Sequence, residues 1–236
     1  MVAPVASLPA RRLWIYTNFD CNLSCTYCVA RSSPRAERRG LSMPVYRRLI
    51  DEALETDVRE VFLTGGEPFL LPDIGERLNY AAARLRTTVL SNAMLYQGRR
   101  REALEGISRA VTFQVSLDGA DAATHDAYRG AGSWEKTLAG IGTLQTLGFP
   151  LVIGSTETPV NSGRLDDLRE FVARLGVAAE QHFVRPLARR GFSREGIELS
   201  AAPVGATKRR DAGALNRNQR GRRAPQWRRA DRGGHG

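Results

Sequence analysis

The segment Leu13-Trp14-Ile15-Tyr16-Thr17-Asn18-Phe19-Asp20-Cys21-Asn22-Leu23-Ser24-Cys25-Thr26-Tyr27-Cys28 runs from a short β-rich apolar stretch into a loop that holds every cysteine of the chain. Its cysteines are separated by three and then two residues. Thiolates are soft ligands suited to iron–sulfur clusters or to zinc. A loop this tight lets three sulfurs converge on one face of a cubane and leaves its remaining iron open to a further ligand. Zinc is the alternative, but a closed structural zinc site asks for a full set of protein ligands. The chain has no fourth cysteine, and His125, His182 and His235 are scattered and read as ordinary polar surface. An odd, clustered set of cysteines is also a poor disulfide framework.

Working outward from this loop, apolar runs alternate with helical spacing. Strands are predicted over residues 13–17, 61–64, 87–91, 110–117, 151–153 and 180–184. Helices are predicted over 43–56, 74–85, 97–105, 134–147 and 164–175. In the first helix Val45, Leu49, Ile50, Ala53 and Leu54 share one face, the periodicity of an amphipathic helix. Ser42 is its expected cap, with Pro44 in the first turn. Trp14, Phe113 and Trp134 read as core. Such β/α alternation argues for a parallel sheet, either doubly wound or a partial barrel. In both, ligands bind at the carboxyl ends of the strands.

The net charge is +10, but nine Arg and one Lys against two Asp lie beyond residue 199, so the first 199 residues carry only +2. The large apolar residues of that stretch are Val204, Leu215 and Trp227, too few to offset the entropy of ordering it. The expected organisation is a core over 11–199 and a disordered basic tail over 200–236. The tail's Arg, Ala, Gly and Pro are what a GC-rich gene encodes out of frame, so it reads as the product of a frameshift or a short gene model. A tail kept for nucleic-acid contact is the alternative, although it lacks regularly placed aromatics for stacking on bases. No run of about 18 apolar residues suggests a membrane span. The N-terminus is a poor signal peptide, which makes a cytoplasmic address the default.

Beyond the cysteine loop, Thr64-Gly65-Gly66-Glu67-Pro68 follows the second strand, Leu90-Ser91-Asn92 the third, and Val115-Ser116-Leu117-Asp118-Gly119 ends the fourth. With CxxxCxxC ahead of them, these segments resemble the cluster loop, the GGEP motif, the TNG-type turn and the SxDG element of the radical S-adenosylmethionine (SAM) superfamily. Asp126-Ala127-Tyr128-Arg129-Gly130 resembles the segment that follows in its peptide-modifying and cofactor-biosynthesis branch, which includes the SPASM-type maturases. The likeness covers about residues 13 to 190 in order and spacing.

The resemblance implies a partial (β/α)6 barrel, one [4Fe–4S] cluster on Cys21, Cys25 and Cys28, and SAM as cosubstrate. The implied activity is that of a radical SAM oxidoreductase or transferase-like maturase. SAM is cleaved reductively, and a 5′-deoxyadenosyl radical takes a hydrogen atom from a peptide or a small cofactor precursor. A flavodoxin- or ferredoxin-type electron donor is the implied partner; neither membrane nor nucleic acid is expected. Gly65 and Gly66 would let the backbone approach SAM, with Pro68 fixing the turn. The Gly66 carbonyl and Glu67 would accept from its ammonium. Ser116 and Asp118 would face the ribose, Asn92 the ribose or methionyl end, Arg129 the carboxylate and Tyr27 the adenine. Arg185-Pro186-Leu187-Ala188-Arg189-Arg190-Gly191 is similar to the family's RPxGRG-type segment. SPASM relatives carry further cysteines for auxiliary clusters; here cysteine is absent after Cys28. The competing readings are a nucleic-acid-binding or RNA-modifying protein and an inactive truncated paralogue.

Overall fold

Strand order decides between the two sheet architectures. The computed structural model describes residues 11–197. It contains β1 (Arg11–Asn18), β2 (Val58–Gly65), β3 (Arg86–Ser91), β4 (Val111–Ser116), β5 (Leu151–Glu157) and β6 (His182–Pro186). All neighbours are parallel, and the spatial order follows the sequence without reversal. A doubly wound sheet reverses its order at a switch point. Here each crossover steps the same way, and with right-handed crossovers the sheet curls into a partial barrel. The tail expected over 200–236 lies outside the described residues.

The helices are α1 (Met43–Leu54), α2 (Ile74–Ala82), α3 (Arg99–Glu105), α4 (Ala122–Arg129), α5 (Ser133–Thr146) and α6 (Leu165–Arg174). Side chains alternate across a strand. Ile15, Leu63, Val89, Phe113 and Ile153 therefore share one core with Tyr46, Ile50, Leu78, Leu104, Ile141 and Leu168 of the helices. Trp14 falls on the opposite face. It is half-buried and stacks on Phe62 at 4.3 Å, which corrects its reading as core. Phe113 is fully buried and Trp134 packs against the core from its edge.

Three local differences have plain causes. The eight-residue α4 is too short for periodicity to reveal, although Asp121 caps it by accepting the Thr124 N–H at 2.8 Å. Ser42 precedes α1 but makes no side-chain capping bond. The start of the expected sixth strand coils into a 3-10 turn, Ala179–Gln181, so β6 begins at His182. Among the described residues no helix is long and apolar enough to cross a membrane.

Candidate active site

Every motif singled out in the sequence lies at the carboxyl ends of the strands, and the cysteine loop is seated there by backbone. The Gly66 N–H donates to the Asn18 carbonyl at 2.9 Å and the Glu67 N–H to the Asp20 carbonyl at 3.0 Å. Asn18, almost fully buried, returns Nδ2 bonds to the carbonyls of Asp20 and Glu67. A Cβ on Gly66 would lie 1.9 Å from the Asp20 carbonyl oxygen. One on Gly65, at φ +137°, would lie 2.2 Å from that of Asn18. Both glycines therefore admit the backbone that leads into the cysteine loop, a closer requirement than the ligand approach expected of them. On its other side the loop bonds through Thr26 N–H to the Tyr128 carbonyl at 3.0 Å and through Phe192 N–H to the Cys28 carbonyl at 3.0 Å.

Glu67 is 1 % exposed, and its carboxylate is occupied by the protein. One oxygen accepts from Phe69 N–H at 3.1 Å and Ser91 Oγ at 2.9 Å, the other from Asn92 N–H at 2.9 Å. The same contacts cap the short turn Pro68–Leu70, in which Pro68 is buried. Burial pushes the Glu67 pKa up to about 7 against the pull of these bonds. Asn92 in turn donates from Nδ2 to Asn22 Oδ1 at 2.8 Å, and its Oδ1 accepts from Met94 N–H at 3.0 Å. Glu67 and Asn92 thus brace the cysteine loop from the ends of β2 and β3.

A second cluster closes the loop from β4. The Asp118 carboxylate, 2 % exposed, accepts from Arg129 Nε at 2.6 Å, from Tyr27 Oη, and from Thr156 N–H at 2.7 Å. Burial works against the Arg129 charge, but Asp118, Tyr27 and Cys25 raise its proton affinity overall. Burial likewise holds the Tyr27 phenol neutral. Glu67, Asp118, Arg129 and Tyr27, expected to contact SAM, each also have a protein partner. Ser116 differs: it ends β4 half-buried, and its hydroxyl bonds to none of the described residues.

The cysteines fit a cluster by their donor chemistry. All are free thiols, half-buried along one loop. Burial pushes Cys21 up to about 12 and also raises Cys25, which Arg129 partly opposes. Desolvated thiols of this kind are brought to thiolate by a metal's positive charge. Backbone N–H groups already point at two of the sulfurs, Leu23 at Cys21 (3.4 Å) and Ser32 at Cys28 (3.3 Å). Among the described residues no three His, Cys, Asp or Glu side chains gather around a single ion position; a cubane spreads its thiolates over separate irons.

His125, expected at the surface, is fully buried behind Asp118. Its Nδ1 accepts the Asp118 N–H at 3.1 Å, which leaves the proton on Nε2, buried without a partner among the described residues. Asn161 was not singled out; its Nδ2 donates to the carbonyls of Asp118 and Thr156 at 2.8 Å each. Neither residue carries a motif. The nearest sequence signal was Asp121, whose cap starts the helix that turns His125 inward. Burial, with the Arg129 charge, lowers the His125 pKa to about 4. The unfolded chain therefore takes up a proton that the folded one refuses. This group's stabilisation is complete above about pH 6.5. It is lost as pH falls toward the folded value, by up to about 1.4 kcal/mol per pH unit. His125→Asn keeps an acceptor for Asp118 and is expected to flatten that part of the urea-midpoint curve. An unchanged slope would assign the acid sensitivity elsewhere.

The family model for the radical SAM superfamily matches residues 15–174. The chain is 34% identical over 186 residues to the AdoMet-dependent heme synthase of Methanosarcina barkeri, covering 77% of this chain and 52% of that protein. It is 32% identical over 185 residues to mycofactocin maturase MftC of Mycobacterium ulcerans, covering 78% and 50%. It therefore spans about half the length of these curated relatives. In fold it is similar to Streptococcus suis SuiB bound to its precursor peptide SuiA, with a TM-score of 0.66 at 20% identity, over 78% of this chain and 42% of that one. The family match begins in the strand that feeds the cysteine loop and ends with α6, well over half of the chain, and on that extent the chain belongs to the radical SAM superfamily.

Proposed function

We propose that Cys21, Cys25 and Cys28 hold one [4Fe–4S] cluster and that SAM binds beside it across the ends of β2 to β5. The proposed activity is reductive cleavage of SAM and abstraction of a hydrogen atom from a peptide or a small cofactor precursor. The observation that carries this reading is the seating of the three-cysteine loop on the Gly65-Gly66-Glu67 backbone at the carboxyl rim of the barrel. When bound, the cluster supplies one electron to the SAM sulfonium, releasing methionine and the 5′-deoxyadenosyl radical. The relatives' names, a heme synthase and a mycofactocin maturase, support a cofactor or peptide precursor as substrate.

In this reading the chain's residues divide by task. The Gly66 carbonyl accepts from the SAM ammonium, and the free Ser116 hydroxyl meets the ribose. Glu67 and Asn92 hold the turn that presents the Gly66 carbonyl. The Tyr27–Asp118–Arg129 group fixes the cysteine loop to β4. Ser116→Ala is expected to weaken SAM binding by about 0.5–1.5 kcal/mol, one neutral hydrogen bond, with iron content unchanged. Equilibrium dialysis with labelled SAM measures it, and an unaltered affinity removes Ser116 from the site.

Anaerobic reconstitution tests the cluster itself. About four iron and four sulfide per chain are expected, as one cubane requires, with none retained when the three cysteines are replaced by Ala. Stoichiometric zinc together with refusal of iron contradicts the proposal.

A further inference from the structure

The strand face turned away from the helices lines the inside of the partial barrel, and it holds polar groups that the protein does not pair. Side chains alternate along a strand, and in-register neighbours share a face. Ser116 is in register with Gly154, Gly154 with Phe183 and Thr156 with Arg185. The inner face of β4, β5 and β6 therefore presents Gln114, Phe183 and Arg185 beside Ser116. Gln114 is 6 % exposed, and its amide has no hydrogen-bond partner among the described residues. Its side chain leans over Gly154, where an added Cβ would lie 2.8 Å from Gln114 Nε2. Glycine at that position leaves the space that the amide fills, so the amide reaches from β4 across β5.

Arg185 opens the Arg185–Gly191 segment, and no carboxylate pairs with it among the described residues. The charge that acts on it is Arg12, which lies on the same inner face two residues before Trp14 and already holds Glu60 at 2.8 Å. Since β1 and β6 are the two edges of the sheet, the two arginines meet at the open side of the barrel. Desolvation there, together with the Arg12 charge, lowers the Arg185 pKa. Arg129, by contrast, already has Asp118 as its counter-ion. A buried amide without a partner and an uncompensated guanidinium are both relieved by the same kind of ligand, an anionic oxygen acceptor.

We infer that the inner face of β4 to β6 anchors the substrate by a carboxylate, which Arg185 meets with its guanidinium and to which Gln114 donates from Nε2. Phe183 forms an apolar wall beside it. The anchor stands one strand from Ser116, the proposed ribose contact. This rests on the proposed function and narrows its substrate to a carboxylic acid: a peptide with a free C-terminus or an acidic side chain, or a carboxylated cofactor precursor. A guanidinium fork matches a carboxylate in shape as well as charge, whereas a carboxamide of the same shape forfeits the charge.

The test uses the reconstituted full chain with SAM and a ligand-observed NMR titration. The probes are acetyl-Ala-Phe with a free C-terminus, acetyl-Glu-N-methylamide and 3-phenylpropionate, each beside its carboxamide counterpart. At least one carboxylate is expected to bind about tenfold or more tighter than its carboxamide, and which one does so tells a C-terminus, an acidic side chain and a small acid apart. Arg185→Gln is expected to weaken that binding about tenfold or more, the loss of a charge-assisted bond. Arg185→Lys is expected to fall between. Gln114→Glu sets a like charge against the probe and is expected to weaken it as much. Arg185 is exposed and unpaired, so its variants keep the fold even if the buried Gln114→Glu does not. Equal binding of carboxylate and carboxamide, binding untouched by Arg185→Gln, or no binding of any probe overturns the inference. So does a tenfold loss of SAM affinity in Arg185→Gln, which makes Arg185 the partner of the cosubstrate's own carboxylate. Dithionite-driven cleavage of SAM by the wild type reports separately on the proposed function. Probe binding through Arg185 without cleavage supports the anchor and counts against the enzymatic reading alone; cleavage without probe binding does the reverse.

Discussion

Arg129→Ala is expected to destabilise the folded protein by about 3–5 kcal/mol, the cost of stranding one partner of a buried ion pair. The pair is short, 2.6 Å from Nε to the carboxylate, and both side chains are almost inaccessible. Without the guanidinium, Asp118 retains only the Tyr27 hydroxyl and the Thr156 N–H, too little to hold a charge out of water. Removing both charges is a milder change, because a buried pair replaced by neutral groups of similar volume is often tolerated. Asp118→Asn combined with Arg129→Leu is therefore expected to recover a large part of the loss, giving a favourable coupling in a double-mutant cycle of urea denaturation. Additive losses would mean that the two side chains act independently. Since Tyr27 joins the same carboxylate, Arg129→Ala is also expected to loosen the cysteine loop and lower iron retention.

The second large effect is expected at Gly66. An Ala methyl there meets the Asp20 carbonyl at 1.9 Å and the Phe19 carbonyl carbon at 3.0 Å. Both are backbone atoms and cannot rotate aside. Relief requires the cysteine loop to lift from β2, breaking the Gly66–Asn18 and Glu67–Asp20 bonds. Two such bonds at about 1 kcal/mol each and overpacking at about 1–3 kcal/mol put the cost near 3–5 kcal/mol. Gly142 is the control. It lies within α5 with nothing inside 4 Å of an added Cβ, so Gly142→Ala is expected to stabilise by about 0.5–1 kcal/mol. Iron per chain after reconstitution separates the two variants: Gly66→Ala is expected to lose it with all three cysteines intact, Gly142→Ala to keep it. Full iron loading of Gly66→Ala would show that the loop does not need this seat.

The positions of the motifs were legible in the sequence, but their contacts were not. Strand periodicity and the succession of CxxxCxxC, GGEP, SNA and SLDG placed each element at a strand end, where the structure has them. Partial barrel and doubly wound sheet share that local pattern and differ only in spatial order, so periodicity alone was silent between them. The partners of the polar side chains depend on crossovers. Glu67 meets Ser91 and Asn92 of the next strand end, while Asp118 meets Tyr27 across 91 residues of chain and Thr156 across 38. A motif names residue types at a rim and says nothing of which neighbour will satisfy them. For that reason Glu67, Asp118 and Arg129 read as ligand contacts from their motifs alone, while the protein partners that the structure gives them, Ser91 and Asn92 for Glu67 and the Asp118–Arg129 pair, were not legible. His125 read as surface because burial of a lone histidine depends on a short helix held by the Asp121 cap.

The central claim is that the seated cysteine loop supports radical SAM chemistry. Its most direct test is quantitation of 5′-deoxyadenosine and methionine after anaerobic reconstitution, with SAM and dithionite. Equal amounts of the two products are expected from the wild type, and none above background from the protein with Cys21, Cys25 and Cys28 replaced by Ala. A wild type that is folded and fully loaded with iron, binds SAM, and yet forms no 5′-deoxyadenosine under these conditions would contradict it.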